Sequence, residues 1–511
     1  MIKSIRVRMG VVEYGKGVVG VRRLLCMFLA VACALISVGC TPSADVSDPV
    51  SSAPEEQIKS ESPKVFALPY SKEDTLNPYA ATTEANVFLA GLLYDSLTVI
   101  DDAFMPQLSL AASVTPTDAT HLTVTLRQGA VFSDGTAVTA ADVKASFDTA
   151  RNSKQYKEQL KNVTAAAVDR KSGAITFTLA KGDPNAAACL SFPILKSGKN
   201  TTAAGEAPLG GGLYVYTAGD NGALLTANPH YGKTPRYATV ALRHLPNTDS
   251  MYYGLASGSI TYYYDDLNVG DTPRVSGASA KVNMNALVYL GINSSRTALG
   301  DPTVRRAFNL LVDRTTLASS AYSGWALPAT LPFHPNWGGV KDTEPLFGGQ
   351  DLAAALQLLD TAGQKKLKLE MIYSTDSANR GTLVDTVRTQ LESAGIQVTA
   401  VPLSYTDYLA RLQNGQYDLY IGEIRLTANM DLDPLFVGAA RYGIAADGAA
   451  AQAYARYRTG EGTLQEFLTA FGENVPYIPL VWRCGFAGHD RRMQSVTPNG
   501  YAPYYGLADW R

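Results

Sequence analysis

Residues Leu122–Arg151 narrow the fold more than any other stretch of this 511-residue chain. Leu122, Val124 and Leu126 alternate with Thr123, Thr125 and Arg127, and a period of two predicts a strand with one buried face. Gly129 breaks the run and Val131-Phe132 starts a short second one. Ser133-Asp134-Gly135 supplies a tight turn, because Asp and Gly accept the dihedrals it needs. Thr139 stands three residues before Asp142, the pattern of a capped helix start with a carboxylate in the electropositive first turn. Val143 and Phe147, four apart, give that helix an apolar stripe.

The wording of the segment is more specific than its pattern. LRQGAVFSDGTAVTAADVKASFDTAR resembles the signature of the family 5 solute-binding proteins of ABC transporters, the peptide- and nickel-binding group. Leu126, Arg127, Phe132, Asp134, Gly135, Thr139, Ala140, Asp142 and Val143 fill the signature places, which are scaffold in the family. Further likeness lies in LNPY…LLYDSLTVID, in MPQLSLAAS (Met105–Ser113), in Asn228-Pro229-His230-Tyr231, in Met251–Asp266, in the Asp301–Asp313 helix and in Tyr322–Ala326. Pro208–Tyr214 is similar to the family's Gly-Thr-Gly-Pro-Tyr turn, with Gly211 for Thr and Leu213 for Pro. Its glycine triplet offers backbone amides that would suit an anion.

The resemblance implies an α/β, periplasmic-binding-protein-like fold of two lobes with an additional inserted domain and a hinge between the lobes. Domain I would be discontinuous (64–88, 206–286 and 479–511), domain II inserted (89–205) and domain III an α/β lobe (287–478). Residue patterns in the last part agree. Leu367–Tyr373, Ile396–Val401 and Tyr417–Ile421 read as strands. Between them lie helices striped by Leu383, Val387, Leu391 and Ala394, and over Tyr405–Leu412. Such alternation predicts parallel pairing with crossover helices. Ahead of them Leu352, Leu356 and Leu359 predict a helix with an apolar face.

The N-terminus reads as a leader. Arg22-Arg23 precede Leu24–Val38, a fifteen-residue run apolar except for Ser37, enough for a signal-peptide core and short for a spanning helix of ~20. Gly39-Cys40 follows, similar to a bacterial lipobox with Ser37 where Leu is usual. Residues 1–39 are therefore expected to be a signal peptide and Cys40 the lipidated residue. Residues 40–63, rich in Ser, Pro, Asp and Glu, would form a flexible tether at the extracytoplasmic face of the membrane. Net charge is -2 over the whole chain, and the first 40 residues carry six Lys/Arg against one Glu, so the remainder carries -7. That charge excludes a nucleic-acid surface. Cys189 and Cys484 are expected to be buried free thiols.

Enzyme and cofactor signatures are missing. The five His (His121, His230, His244, His334, His489) are far apart, with no pair at metal-ligand spacing on a helix. No Gly-x-Ser-x-Gly occurs, and Ala227 stands where Gly232-Lys233-Thr234 would need the first glycine of a nucleotide loop. The chain is read as a non-enzyme without cofactors.

Candidate ligand residues come from one rule: α/β sheets bind beyond the carboxyl ends of their strands. The loop expected after Ile421 offers Glu423, Arg425 and Asp431. Glu423 or Asp431 would pair a cationic group of the ligand, and Arg425 a carboxylate; the alternative is an internal Glu423–Arg425 pair of structural value only. Tyr214, Asn293, Trp325 and Arg483 are further cleft candidates, Arg483 because a charge inside an apolar run needs a partner. The function implied is a monomeric lipoprotein that binds a small solute, foremost a short peptide, and delivers it to an ABC transporter permease. A metal chelate, opine or sugar, or a sensing role without transport, are the alternatives.

Overall fold

Thr139 caps the helix expected after the first hairpin: its hydroxyl accepts from Asp142 N at 3.3 Å, and the Asp142 carboxylate accepts from Thr139 N at 3.0 Å. This reciprocal pairing satisfies two amides that a helix start leaves free. The computed structural model describes residues 65–511 except 220–221, 269–271, 274–276, 365 and 439–441. The leader, Cys40 and the tether lie outside the described residues.

Along the chain come β1 (Phe66–Tyr70), α1 (Glu84–Leu93), β2 (Thr98–Ile100), β3 (Pro106–Leu108), β4 (Ala111–Asp118), β5 (His121–Leu126) and α2 (Ala140–Ala150). Next are β6 (Val163–Val168), β7 (Ile175–Leu179), β8 (Tyr214–Thr217), β9 (Ala223–Ala227), β10 (Thr239–His244), α3 (Thr248–Ser257), β11 (Tyr262–Asp265) and β12 (Ala278–Ile292). After α4 (Pro302–Leu311), α5 (Arg314–Ser320), β13 (Ala326–Pro328) and α6 (Leu352–Thr361) come β14 (Lys368–Ser374), α7 (Arg380–Glu392), β15 (Gln397–Leu403), α8 (Tyr405–Gln413) and β16 (Leu419–Arg425). The short α9 (Asp433–Phe436), α10 (Ala449–Thr459), α11 (Leu464–Asn474) and β17 (Tyr477–His489) follow.

Among the described residues the strands form four sheets, two of them four-stranded (β1-β10-β9-β8 and β4-β5-β7-β6), with β2-β3 a separate ribbon. The seven-stranded sheet runs β11-β17-β12-β16-β14-β15, with β13 on β17. Its β15-β14-β16 side is parallel and crossed by α7 and α8, as the sequence alternation predicts. Its other half, β16-β12-β17-β11, is antiparallel. Leu383, Val387 and Leu391 of α7 are fully buried against this sheet, each side chain worth about 1.5–3 kcal/mol relative to exposure.

Three local expectations are corrected. β16 does not stop at Ile421 but continues to Arg425, because β12 pairs with it as far as Ala286–Arg425. Glu423 and Arg425 are therefore strand residues on one face of a sheet rather than loop residues. In α6 the buried line is Ala355 and Leu359, while Leu352 and Leu356 are exposed. The Gly210–Gly212 triplet is no anion cradle. A side chain at Gly210 would meet the Tyr94 ring at 2.3 Å and one at Gly212 the Leu93 backbone at 2.4 Å. Gly212 N donates to Leu93 O, so the glycines let this loop lie against the end of α1. Cys189 and Cys484 are free and buried, as expected.

Candidate ligand-binding site

Beyond the carboxyl end of β14 and alongside β16 lies a cavity of about 430 Å³, in the lower part of the usual range for small-molecule pockets. Glu423 stands in its floor. β16 presents Glu423 and Arg425 two residues apart, hence on the same side. Arg380, the first residue of α7, donates Nη2 to Glu423 Oε2 at 2.5 Å. Arg483 of β17 donates Nη1 to Glu423 Oε1 at 2.6 Å. One carboxylate thus joins two guanidiniums, and the sequence alternative of an internal Glu423–Arg425 pair is not what forms.

Arg425 instead pairs with Asp266 at 3.2 Å and donates to Gly500 O at 3.0 Å. The second amine of Arg483 donates to the carbonyls of Asp266 and Leu267. Leu267 has φ of 53°, a left-handed conformation that L side chains rarely adopt. Its amide is held there by Asp265 Oδ1 at 2.8 Å. Strain at one residue thus accompanies two carbonyls aimed at a buried arginine.

Burial alone would discharge Arg380, but the Glu423 carboxylate outweighs it, with help from Tyr322, Tyr408 and Asp376, and its pKa rises above the usual arginine value. The guanidinium stays charged. Its Nη1 is buried with no hydrogen-bond partner among the described residues. The lining also includes polar and aromatic residues, among them Asn268, Asp376, Ser377, Tyr289 and Tyr405, with Leu409, Leu412 and Ile421 as its aliphatic part. Charged hydrogen-bond donors beside aromatic faces suit a small, polar, charged solute.

The cavity therefore gathers Glu423, Arg425 and Arg483 from the sequence candidates. The other four lie elsewhere. Tyr214 donates its hydroxyl to Tyr237 O at 2.8 Å and lines a different cavity of about 580 Å³ with Lys199 and Tyr216. Asn293 spends its amide on Tyr417 O and Gly415 O, 3.0 and 3.3 Å away, stapling a loop. Trp325 packs its edge on Phe486, with the Lys281 ammonium 5.7 Å from its ring centre.

Asp431 belongs to a second charged cluster. Tyr454 donates to Asp431 and Asp433 at 3.1 Å each, and Arg458 lies 3.8 Å from Asp431. Burial and the neighbouring Asp433 push the Asp431 carboxyl up. Against the pull of burial, Lys181 and Arg458 hold Asp433 down.

Arg380, Asp376 and Tyr405 escaped the sequence reading. The signal for the first two was available: Ser374–Asn379 is a polar run directly after a strand of the parallel half, and the rule that singled out the end of β16 applies equally there.

Comparison with known proteins identifies the family and the fold. The model of the bacterial extracellular solute-binding proteins, family 5 Middle, matches residues 105–439. Protein XP55 of Streptomyces lividans is 28% identical over 314 residues, covering 58% of this chain and 56% of that protein. The probable D,D-dipeptide-binding periplasmic protein DdpA of Escherichia coli K12 is 25% identical over 332 residues, covering 60% and 62%. The chain thus spans less than two thirds of the length of these two relatives. The glutathione-binding protein GsiB of Escherichia coli O6:K15:H31 is 25% identical over 396 residues, covering 71% and 75%. Among solved structures, the periplasmic murein tripeptide binding protein MppA in its unliganded open form superposes with a TM-score of 0.72 at 17% identity, covering 88% of this chain and 98% of that one. A nickel ABC transporter protein from Bacillus halodurans also gives 0.72 at 17%, covering 86% and 97%. At such identities the structural likeness concerns the fold alone.

Proposed function

Because the chain belongs to the bacterial extracellular solute-binding proteins of family 5, we propose that it captures a short peptide in the cavity around Glu423 and passes it, chemically unchanged, to an ABC transporter permease. The observation that carries the ligand class is the Arg380–Glu423–Arg483 cluster with Arg425 beside it. Guanidiniums recognise carboxylates through paired, charge-assisted hydrogen bonds. A short peptide supplies a carboxylate and an ammonium group within a span that a cavity of about 430 Å³ accommodates. The relatives named for a dipeptide and for glutathione support the same class.

In this reading domain I (64–88, 206–286, 479–511) and domain III (287–478) swing about a hinge to enclose the solute, with domain II (89–205) inserted. Closure excludes water and strengthens each polar contact. Acylated Cys40 holds a monomer at the extracytoplasmic face through the 40–63 tether. Among the described residues no helix is long and apolar enough to cross a membrane. Replacing Cys40→Ser is expected to release the protein from the membrane fraction.

The deciding experiment is native mass spectrometry of protein purified without added ligand, followed by thermal-shift titration with di- to tetrapeptides. Retained peptide masses and a concentration-dependent rise in Tm are expected. A protein that keeps none of them, or a product that accumulates during incubation, would end this reading.

A further inference from the structure

Glu423 is the carboxylate that the sequence offers to a cationic ligand group, yet both its oxygens are already taken by guanidiniums at 2.5 and 2.6 Å. An ammonium approaching it would meet two neighbouring positive charges. Asp431, the other candidate, sits with Arg458, Tyr454 and Asp433 and does not line this cavity.

Asp376 also feels the Arg380 charge, but among the described residues no guanidinium is bonded to its carboxylate. It lies in the polar loop that leaves the carboxyl end of β14, lines the cavity with Glu423 and Arg425, and is exposed. Its own amide donates to Ser374 Oγ at 3.4 Å, which folds the loop back at the strand end. Among the described residues its carboxylate accepts no hydrogen bond and joins no ion pair. Arg425 is the most accessible guanidinium of the floor, its side chain 43% exposed against 10% for Arg380 and 6% for Arg483. Tyr405, 55% exposed, lines the same cavity with its ring uncovered.

We propose that Asp376 receives the ammonium group of a zwitterionic solute whose carboxylate turns to Arg425, and that Glu423 is a positioning residue that holds Arg380 and Arg483. The proposal rests on the short-peptide reading of the cavity and adds to it the direction in which the solute lies.

The test compares a mixture of free dipeptides with the same mixture N-acetylated, each offered to wild-type protein, Asp376→Asn and Glu423→Gln. Retention is read by native mass spectrometry and by the shift in Tm. Wild-type protein is expected to prefer the free mixture by about 10- to 100-fold, the size of one charged hydrogen bond. Asp376→Asn should bring the free mixture down to the level of the acetylated one and leave the ligand-free Tm unchanged. Glu423→Gln should lower the ligand-free Tm and weaken retention of both mixtures alike, so that the preference between them remains. Asp376→Asn protein that still prefers free dipeptides overturns the assignment while the peptide reading stands; so does folded Glu423→Gln protein that has lost the preference. If wild-type protein retains neither mixture, the peptide reading falls and the assignment with it.

Discussion

Among the described residues, two of the arginine–carboxylate clusters contrast sharply, one dry and one facing a cavity. In the dry cluster Arg458 of α10 grips Asp183, just after β7, with two hydrogen bonds of 2.8 and 2.9 Å. Their side chains are 2% and 0% exposed. Asn429 donates to the same carboxylate at 2.6 Å, Asn185 donates to Tyr457 at 3.0 Å, and Lys181 pairs with Asp433. Between them Gly182 comes so close to α10 that a side chain would meet Thr459 O at 2.9 Å. In the other cluster the Glu423 side chain is 24% exposed and shared by two arginines beside the cavity. The first arrangement fastens backbone to backbone, with one bidentate pair at its centre. The second places two arginines on one carboxylate and borders a cavity. The difference shows that an arginine pair says little about function until its burial and its neighbours are known.

That contrast can be broken by substitution. Arg458→Met leaves Asp183 buried without its counter-charge and should cost about 3–5 kcal/mol in denaturant unfolding. A loss under about 1 kcal/mol would erase the distinction between the two clusters. Glu423→Gln should cost less, about 1.5–3 kcal/mol by the same measurement, because Gln keeps a side-chain oxygen to accept from one guanidinium and the Glu423 side chain is 24% exposed.

His334 sharpens the comparison from the uncharged side. It is fully buried, accepts from Asn336 N at 3.1 Å, and burial pushes its pKa down to about 3. An unfolded His takes up its proton near pH 6.5. The folded state refuses that proton, so the stability His334 contributes is complete above pH 6.5 and is lost as pH falls towards 3. Its slope reaches about 1.4 kcal/mol per pH unit. His334→Asn should flatten the stability curve between pH 6.5 and 5 relative to wild type. The smallest effect belongs to Tyr405→Ala: an unchanged unfolding midpoint and a loss of about 0.5–1.5 kcal/mol in peptide affinity by calorimetry.

How much of this was legible in the sequence follows chain distance. The Thr139–Asp142 cap was readable because donor and acceptor lie three residues apart. The β14-α7-β15-α8-β16 alternation was readable because each element carries its own period. Glu423 was found by a rule about strand ends, although its strand runs four residues further than local pattern implied. What lengthens it is β12, more than a hundred residues away. The partners of Glu423 lie 43 and 60 positions off, and Asp183 is 275 positions from Arg458. No periodicity joins such pairs; only the folded chain does. The glycine triplet was misread for the same reason, since Leu93 and Tyr94, which require its missing side chains, belong to a distant helix.

The shared carboxylate has one more consequence. Two guanidiniums on Glu423 leave a standing positive excess among the less exposed groups of the lining, and the exposed Asp376 adds a negative charge to it. Together they form a small fixed dipole, and a dipole exerts torque before it makes contact. A zwitterion drifting inward would be turned the right way round while still solvated, and that guidance would fade as added electrolyte shortens the reach of the field.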